Sequence, residues 1–506
     1  MSGEWERLDR RTVAVTALLM AGVAVTAGLP TGYGIAGATS VATALIWVLP
    51  GAALLIAAGA AADFLRWRIT RYRIGDDRVE VRSGVLVRKR RSLQRNRIRT
   101  VDVTADPLLR VFGLVTVRIG TGDQSSSGEG AVALRPVRRD VADGLRRALL
   151  RHAATAEAGS EGLLAKLDRA WIRYAPLSFM APLLGGSAFG LVLNVSDWFG
   201  PQNSVIGYVT GLFRDVPLVT AIAILTVVAL VIGVVAALGL WVEMWWSYRL
   251  EREPGGTLRV RRGLSTTRSI SIEESRLRGV DVVEPLGARL AGAARVDAVA
   301  TGMVAKAEDD KTDHRTLLPA APKAVADRVA AAVLREPVAP IASVQLTAHP
   351  AAARGRRLRW ALATVVVFEA PLVVLGVLLT DVLLHIAWIS AVVLAPVAVV
   401  LALDAYRSLG HGITGGYLVT RSGTVRRSTV ALQRRGIIGW SVRQSRFQRH
   451  AGLVTVWATT AAGAGAYAIH DAGTSTGLAV AETAVPELLS PFLERVPATD
   501  QTTSLV

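Results

Sequence analysis

One stretch of the chain, residues 71–122, occurs three times, and this repetition limits what the chain can fold into. Adding 339 to each residue number places 82–84 (Arg-Ser-Gly) and 113–117 (Gly-Leu-Val-Thr-Val) on identical segments. A shift of 179 aligns 101–103 (Val-Asp-Val) with an identical segment and brings Gly84 and Gly113 onto other glycines. Repetition at this length indicates duplicated domains rather than a solenoid of small units.

Two apolar runs precede each copy of the repeat, and we interpret each pair as a transmembrane hairpin. Each run is long enough to cross a hydrocarbon core of about 30 Å at about 1.5 Å per residue. For the first run, a secretory signal peptide is the alternative because Arg10 and Arg11 precede it. Later copies also follow apolar pairs, where no signal peptide could stand. The six predicted spans form three hairpins, at 12–62, 175–242 and 360–404. The turn of the first hairpin is predicted at 30–34.

The charge of the chain predicts its orientation and its neighbours. A formal net charge of +18 indicates an anionic partner, either nucleic acid or an acidic membrane surface. Basic residues cluster beside the hairpins, at 66–73 and 354–359, whereas the hairpin loops contain only Arg214. The positive-inside rule then places the repeats and both termini on the cytoplasmic side of a plasma membrane. Because there is no cysteine, disulfides and thiolate metal sites are excluded.

Each repeat has the pattern of a small β domain that ends in a helix. Residues 78–82 alternate apolar and polar side chains before Ser83 and Gly84, which is typical of a β-hairpin. Residues 137–152 place apolar side chains on one helical face, and the third copy is predicted to end with a helix at 485–496. The sequence therefore predicts an α+β membrane protein in which each hairpin carries a seven-stranded β-barrel or split sandwich with a C-terminal helix. The predicted domains are 68–153, 246–336 and 408–497.

Four motifs mark the first copy: Tyr-Arg-Ile at 72–74, Ser-Gly at 83–84, Gln-Arg-Asn-Arg-Ile at 94–98 and Phe-Gly-Leu-Val-Thr-Val at 112–117. Their order resembles the bacterial pleckstrin-homology-like (PH-like) domain of membrane proteins of the YdbS and YdbT type. The third copy departs from it, with His411 in place of the tyrosine. The resemblance implies membrane-tethered domains without known catalytic residues. At most it suggests a role in envelope stress or antimicrobial resistance.

A search for catalytic and cofactor motifs favours a non-catalytic protein. The seven histidines show no spacing suited to a metal, so no metal or cofactor is predicted. Residues 463–468 formally match a dinucleotide-binding pattern, but they stand between two late strands and open no helix. We interpret them as the tip of a loop. No phosphate-binding lysine loop and no Gly-x-Ser-x-Gly elbow occurs.

Two basic clusters are the best candidates for binding. Either could contact anionic lipid headgroups or a partner protein, although positive-inside topology alone is the alternative explanation. Nucleic acid is disfavoured, since no aromatic residue that could stack on a base lies between residues 78 and 99. The third-repeat cluster has no acidic neighbour between 405 and 450 and is predicted to be unopposed. The candidates are Arg88, Lys89, Arg90, Arg91, Arg95 and Arg97 in the first repeat, and Arg426, Arg427, Arg434 and Arg435 in the third.

Carboxylates in the apolar runs offer a second kind of site. Glu369 lies inside the fifth span, where an ionisable group is costly and often functional. It could serve a transporter or a lipid translocator, and hydrogen bonding between helices is the simpler alternative. Asp63, Glu243 and Asp404 each stand near the end of the second run of a hairpin. We expect them to pair with nearby arginines at the membrane interface.

The function predicted from the sequence is a non-catalytic membrane scaffold whose domains bind anionic lipids, a partner protein or both. A transporter that uses the helix bundle and Glu369 is the alternative. The sequence leaves the partner's identity and a homo-oligomeric state open.

Overall fold

In the computed structural model, the chain forms long apolar helices and, within the residues that the structure describes, four β-sheets. Those residues are 5–75, 78–84, 89–94, 100–120, 131–142, 162–177, 185–187, 211–212, 214–301 and 315–492, with single positions at 144, 183 and 190. The chain forms two compact units, Met1–Ser275 and Arg276–Val506.

The helices include five that are long and apolar enough to cross a membrane, which are α1, α2, α4, α8 and α9. The predicted span at 175–195 lies mostly outside the described residues. The helices are α1 (Thr12–Ala38), α2 (Val41–Ile69), α3 (Pro107–Val111), α4 (Leu218–Trp245), α5 (Leu286–Leu290), α6 (Lys323–Leu334), α7 (Pro340–Ser343), α8 (Ala351–Leu379), α9 (Asp381–Arg407), α10 (Arg446–His450) and α11 (Thr474–Ala484).

Apart from β1 and β8, the strands follow the helices of each hairpin, as the change of sequence period predicts. They are β1 (Glu6–Arg7), β2 (Arg71–Ile74), β3 (Arg78–Ser83), β4 (Lys89–Gln94), β5 (Thr100–Ala105), β6 (Leu114–Gly120), β7 (Ala131–Arg138), β8 (Gly162–Lys166), β9 (Arg249–Glu253), β10 (Thr257–Arg262), β11 (Thr267–Glu273), β12 (Leu277–Pro285), β13 (Ala293–Ala300), β14 (Thr316–Pro322), β15 (Gly410–Thr414), β16 (Tyr417–Ser422), β17 (Arg426–Gln433), β18 (Ile437–Arg443), β19 (Leu453–Thr460) and β20 (Ala466–Gly473).

The first hairpin turns later than predicted. Helix α1 continues through Pro30 to Ala38, and Ser40 caps α2 by accepting a hydrogen bond from the backbone N–H of Thr43 at 3.2 Å. A turn at 30–34 would expose backbone N–H and C=O groups within an apolar run, where a continuous helix satisfies most of them internally. A proline is tolerated in such a helix because only its own turn loses a hydrogen bond.

The hairpin predicted at the Ser-Gly motif of the first repeat is confirmed, and the aligned glycine makes the same turn in the other two repeats. Gly84, Gly263 and Gly423 have φ values of 117°, 115° and 98°, a region that residues with a side chain rarely adopt. A Cβ atom at Gly423 would also lie 2.1 Å from the backbone oxygen of Arg426. Only glycine fits this turn, and this explains why it appears in each copy.

The sheets do not close within single repeats. Each repeat contributes two groups of three strands among the described residues, whereas seven strands in a closed barrel or split sandwich were predicted. The last three strands of the first repeat continue into the second repeat through β5 and β11, in the order β7-β6-β5-β11-β10-β9-β8. The last three of the second repeat continue into the third through β12 and β17, in the order β14-β13-β12-β17-β16-β15. We call these two contacts junction 1 and junction 2.

The C-terminal helix of the third repeat lies earlier than predicted. Helix α11 ends at Ala484, and Val485 has the extended φ of −137°. Pro486 follows, and the residue before a proline is sterically excluded from the helical region, so the helix stops there. In the second repeat, the C-terminal helix is α6. Most of the first repeat's predicted helix, 137–152, lies outside the described residues, and its first two residues end strand β7.

Apolar cores form where strand faces and helices meet. In the first repeat, Tyr72, Val79 and Val117 are buried together, and Trp67 of α2 packs against them. The Trp67 indole N–H donates to the backbone oxygen of Leu8 at 2.9 Å. The third repeat has a similar core. Of the predicted loop tip at 463–468, residues 463–465 do lie in the loop between β19 and β20, whereas 466–468 begin strand β20. Through Trp67, the end of the first hairpin is packed directly on the first domain.

Candidate functional site

The basic cluster of the first repeat is only partly described. Arg88, Arg95 and Arg97 lie outside the described residues, and Lys89 and Arg91 lie in strand β4. Arg90 donates from Nη2 to Glu80 Oε1 at 3.0 Å on the neighbouring strand. This arginine already has a carboxylate partner within its own sheet.

The prediction that the third-repeat arginines are unopposed is wrong for Arg427 and Arg426, which both have acidic neighbours in the preceding repeat. Arg427 Nε donates to Glu284 Oε2 at 2.9 Å, and this glutamate belongs to the preceding repeat. Arg434 donates to the backbone oxygens of Thr483 and Ala484 at 2.7 and 2.6 Å, where it caps the end of α11.

The other two candidates of that cluster have weaker contacts. Arg435 donates to the Gln433 side chain at 3.2 Å. Arg426 lies 3.9 Å from Asp297, and its side chain is 57% exposed. Of the four third-repeat candidates, Arg426 and Arg435 are the exposed ones and therefore remain the most accessible to a partner.

Junction 2 is held by side chains as well as by its backbone ladder. Besides the Arg427–Glu284 pair, Ser428 Oγ donates to Asp281 Oδ1 at 2.5 Å, from β17 to β12. Burial, and then the nearby charge of Asp297, raises the pKa of Asp281 to about 6. The junction thus places acidic side chains on the receiving strand and basic or hydroxyl side chains on the incoming strand.

The predicted pairing of helix-end carboxylates with arginines is confirmed for Asp404. Its Oδ2 atom accepts from Arg289 Nη2 at 2.8 Å and from Thr424 Oγ1 at 2.6 Å. Arg289 lies in α5 of the second repeat, and Thr424 lies in the hairpin turn of the third. The Leu286 N–H also donates to the Val425 oxygen at 2.8 Å. The end of α9 therefore binds both sides of junction 2.

Glu243 at the end of α4 accepts different donors from those predicted. Its carboxylate accepts from the backbone N–H groups of Ser265 and Thr266 at 3.2 and 2.9 Å, and from the Ser265 hydroxyl. These donors are in the hairpin turn of the second repeat. A backbone hydrogen bond from Gly263 N to the Trp246 oxygen, at 2.8 Å, holds this turn next to the end of α4. Turn N–H groups therefore replace the expected arginine. For Asp63, Oδ2 is buried without a partner among the described residues.

We expect Asp404→Ala to loosen the hairpin turn by about 1–2 kcal/mol, because Arg289 and Thr424 both lose their charged acceptor. Amide hydrogen exchange at residues 423–425 measures this effect. A Thr424→Val variant completes a double-mutant cycle, whose interaction energy should be clearly above zero. Unchanged exchange in the turn would mean that the carboxylate does not hold it.

A buried polar cluster in the third repeat was not predicted from the sequence. Asp471, fully buried on β20, accepts from Arg356 Nη1 at 2.6 Å, from Arg357 Nη2 at 3.0 Å and from Gln448 Nε2 at 2.9 Å. Burial alone would raise the pKa of Asp471, but the Gln448 hydrogen bond and the two guanidinium charges lower it below its usual value. Both arginines lie in the first turns of α8, so this aspartate attaches the domain to the start of an apolar helix.

Two buried histidines extend the cluster. His411 Nδ1 lies 3.0 Å from His349 Nε2, and His349 Nδ1 lies 3.1 Å from the Asp471 backbone oxygen. Burial, and then the neighbouring His349, lowers the pKa of His411 to about 4, and burial also lowers the pKa of His349. The Tyr406 hydroxyl of α9 donates to the His349 oxygen at 2.9 Å. His411 replaces the tyrosine of the first-repeat motif, which was the one available signal.

The comparison with known proteins identifies the three repeats. The bacterial PH domain model matches residues 17–153, 205–337 and 362–486. The chain belongs to the bacterial PH domain family. It is also 28% identical over 97 residues to the UPF0699 transmembrane protein YdbT of Bacillus subtilis (strain 168). That match covers 19% of this chain and 17% of YdbT, and no solved structure matches the chain.

These results confirm the resemblance inferred from the motifs: this is a membrane protein with three bacterial PH domains. The matched segments include the apolar helices as well as the strands, since 17–153 contains most of α1 and all of α2. Among the described residues, the structure shows no group of three or more His, Asp or Glu side chains that could hold a metal ion.

Within the third segment that matches the bacterial PH domain, Glu369 makes the hydrogen bond between helices that was one of its two predicted roles. Ser390 Oγ of α9 donates to Glu369 Oε2 of α8 at 3.0 Å. The glutamate is buried, and its Oε1 atom has no partner among the described residues. Close to Pro371, this contact joins the two helices of the third hairpin.

We expect Glu369→Gln to keep the third hairpin folded, because the amide oxygen still accepts from Ser390, whereas Glu369→Leu should weaken helix pairing by about 1 kcal/mol. Thermal unfolding followed by tryptophan fluorescence in a fixed detergent compares the two variants. If the glutamine variant were as unstable as the leucine variant, the charge itself would be the stabilising feature.

Proposed function

We propose that this bacterial PH-domain protein is a non-catalytic membrane scaffold, whose domains lie on the cytoplasmic side and present fixed surfaces to a partner protein. The observation that carries the proposal is that neighbouring domains share sheets at junctions 1 and 2. Strand pairing fixes two domains through a ladder of backbone hydrogen bonds, whereas domains on simple linkers move independently.

Contacts with the helix ends support the same proposal. Glu243 and Asp404 bind the hairpin turns of the second and third domains, and Asp471 binds two arginines at the start of α8. Each contact ties a domain to the end of an apolar helix with charge-assisted hydrogen bonds, which are stronger than neutral ones. Domains attached in this way suit a role in holding a partner at a defined place on the membrane.

The use of the arginines favours a scaffold over a reader of lipid headgroups. Arg90, Arg427 and Arg434 are engaged with the protein's own carboxylates and carbonyl groups. A guanidinium that is committed to an internal partner must break that contact before it binds a headgroup phosphate, which costs part of the binding energy. Headgroup binding by the remaining basic residues would add to membrane attachment without being the main function.

Native mass spectrometry of the intact protein, released gently from its own membranes, tests the proposal. We expect a stoichiometric protein companion that persists after residues 88–91 are changed to glutamine. Anionic lipid adducts without a protein companion, lost in that same variant, would instead make the protein a lipid reader. A deletion strain challenged with envelope stress or antimicrobials would show whether the scaffold serves the envelope, as the family resemblance suggests.

The alternative is a transporter or lipid translocator built on the helices. It is supported by the buried Glu369 Oε1 atom, which has no partner among the described residues. In that case, Glu369→Gln should abolish the cellular phenotype while leaving the fold intact. A scaffold should tolerate this substitution, so the same variant separates the two functions.

A further inference from the structure

The third domain contains a strand whose counterparts in the first two domains are both paired. Strands β5, β12 and β18 occupy the same place in the three repeats, immediately before the short helix and its glycine. Strand β5 pairs with β11 of the next domain, and β12 pairs with β17 of the next domain. Strand β18 pairs with β19 on one side, and its other side is an edge among the residues described. Strand β18 is thus a third copy of the strand that receives its neighbour at junctions 1 and 2.

A glycine on this strand marks the place where an incoming backbone fits. In junction 2, a Cβ atom at Gly279 would lie 2.0 Å from the backbone oxygen of Ala431 on the paired strand. Gly439 occupies the same position on β18, and a Cβ atom there would meet nothing within 4 Å. At the third domain, no described residue makes the close approach that requires glycine in the closed junction.

Apolar side chains along β18 are correspondingly uncovered. Val282 of β12 is 1% exposed in the closed junction, whereas Val442, at the same position on β18, is 44% exposed. Ile438 on the same strand and Phe447 on the adjacent α10 are 65% and 70% exposed. An added strand would bury this apolar surface as well as the open backbone groups.

The charges at this edge decide which kind of strand fits. Junction 2 has Asp281, Glu284 and Asp297 on its receiving side, and these face serine and arginine donors. The third domain has Ser441, Gln444 and Trp457 at those positions. Its strand also ends in Arg443, which lies over the Trp457 ring at 5.6 Å. An incoming strand with basic residues would therefore find no carboxylate and would meet an arginine.

This charge pattern argues against a second copy of the chain as the occupant. Strand β4 is the first domain's counterpart of β11 and β17, and it is also an edge strand among the described residues. In the register of junction 2, Val283 faces Ser428, so β4 would place Lys89 opposite Arg443. Like charges directly opposite each other destabilise a strand pair.

We propose that β18 is a docking strand that receives an extended, acidic segment of a partner protein, added antiparallel with a carboxylate opposite Arg443. The proposal rests on the scaffold function and names the surface through which the partner is held. Backbone hydrogen bonds to β18 would supply affinity, Gly439 would admit the backbone, and Arg443 would select the charge of the segment.

Synthetic peptides based on the natural incoming strand test this proposal on the full-length protein in detergent. One peptide copies residues 425–433, and a second carries glutamate at the positions of Arg426, Arg427 and Ser428. A third copies β4, residues 87–94. We expect the glutamate peptide to slow amide hydrogen exchange at residues 437–443 and to bind about tenfold more tightly than the other two.

Two substitutions locate the binding. Gly439→Ala should abolish peptide binding without changing the thermal midpoint, whereas Gly279→Ala, its counterpart in the closed junction, should lower that midpoint. Arg443→Glu should reverse the preference, so that the peptide copying 425–433 binds more tightly than the glutamate peptide.

Three results would overturn the proposal. These are no protection of 437–443 by any peptide, binding that survives Gly439→Ala, or tighter binding of the β4 peptide, which would make a second copy the occupant. The scaffold function is judged separately by native mass spectrometry. A stoichiometric companion retained by the Gly439→Ala variant would support the scaffold while placing its partner elsewhere, against the docking strand.

Discussion

Asp471→Asn should lower the free energy of unfolding of the third bacterial PH domain by about 3–5 kcal/mol, the usual loss when one partner of a buried ion pair is removed. Asp471 is fully buried, and Arg356 and Arg357 both donate to it. Without the negative charge, two guanidinium groups remain partly buried beside an amide. Asparagine nearly preserves the shape and tolerates the positive φ of 54° at this position, so the substitution isolates the charge.

Amide hydrogen exchange along β19 and β20, together with tryptophan fluorescence during heating, measures this loss. Asp381→Asn is the matched control, because Asp381 is exposed at the start of α9 and should change stability by less than about 1 kcal/mol. Arg356→Gln in the Asp471→Asn background should recover part of the stability by removing one uncompensated charge. An Asp471→Asn protein as stable as the control variant would show that the ion pairs do not hold the domain to α8.

Local sequence patterns predicted the parts of the fold that depend on nearby residues. The Ser-Gly turn fixes its own geometry through one glycine, and the apolar runs fix the helices through their length. The pattern misled at two prolines, in opposite ways. Pro486 stops α11 where a helix was predicted to begin, and Pro30 does not interrupt α1 where a turn was predicted. Both outcomes follow from local backbone sterics and from the cost of unpaired backbone groups in an apolar surrounding.

The junctions could not be read from the sequence because their partners are far apart in the chain. Arg427 and Glu284 are separated by 143 residues, and no periodicity relates them. An arginine that has no acidic neighbour within its own repeat is neutralised by the repeat before it. The helix-end carboxylates were recognisable because they recur in each hairpin. Their donors were not, since a backbone N–H such as that of Thr266 has no signature in a sequence.

Lowering the pH from about 7.5 to 5 should destabilise the His349–His411 contact by about 2 kcal/mol, because the pKa of His411 falls from 6.5 to about 4 on folding. A histidine with a lowered folded pKa stabilises the protein fully above its unfolded pKa. That contribution is lost as the pH falls below 6.5, because the unfolded state then binds more protons. Protonation of both rings would also set two cations 3.0 Å apart. The charged and titratable groups around the pair are Arg356, Arg357, His470 and Asp471.

The titration of Asp281 changes stability with pH in the opposite direction, so its contribution has to be separated from that of the histidine pair. Its pKa is raised to about 6, so it stabilises the folded state at acidic pH and loses that contribution as the pH rises through 6. Global unfolding would therefore show a partial cancellation. Hydrogen exchange resolves the two groups once each rate is divided by the intrinsic exchange rate at the same pH. Acidification should then lower the protection factors in β15, beside His411, and raise them across junction 2.

His411→Phe supplies the matched variant, because an aromatic residue, Tyr72, is buried at the equivalent position of the first domain. Phenylalanine fills the space without titrating, so the protection factors in β15 should lose most of their dependence on pH between 5 and 7.5. Asp281→Asn should leave that dependence unchanged and remove only the response at junction 2. If β15 in the His411→Phe protein still opened on acidification, the sensitivity would reside in His349 or His470, and the pair itself would not be its source.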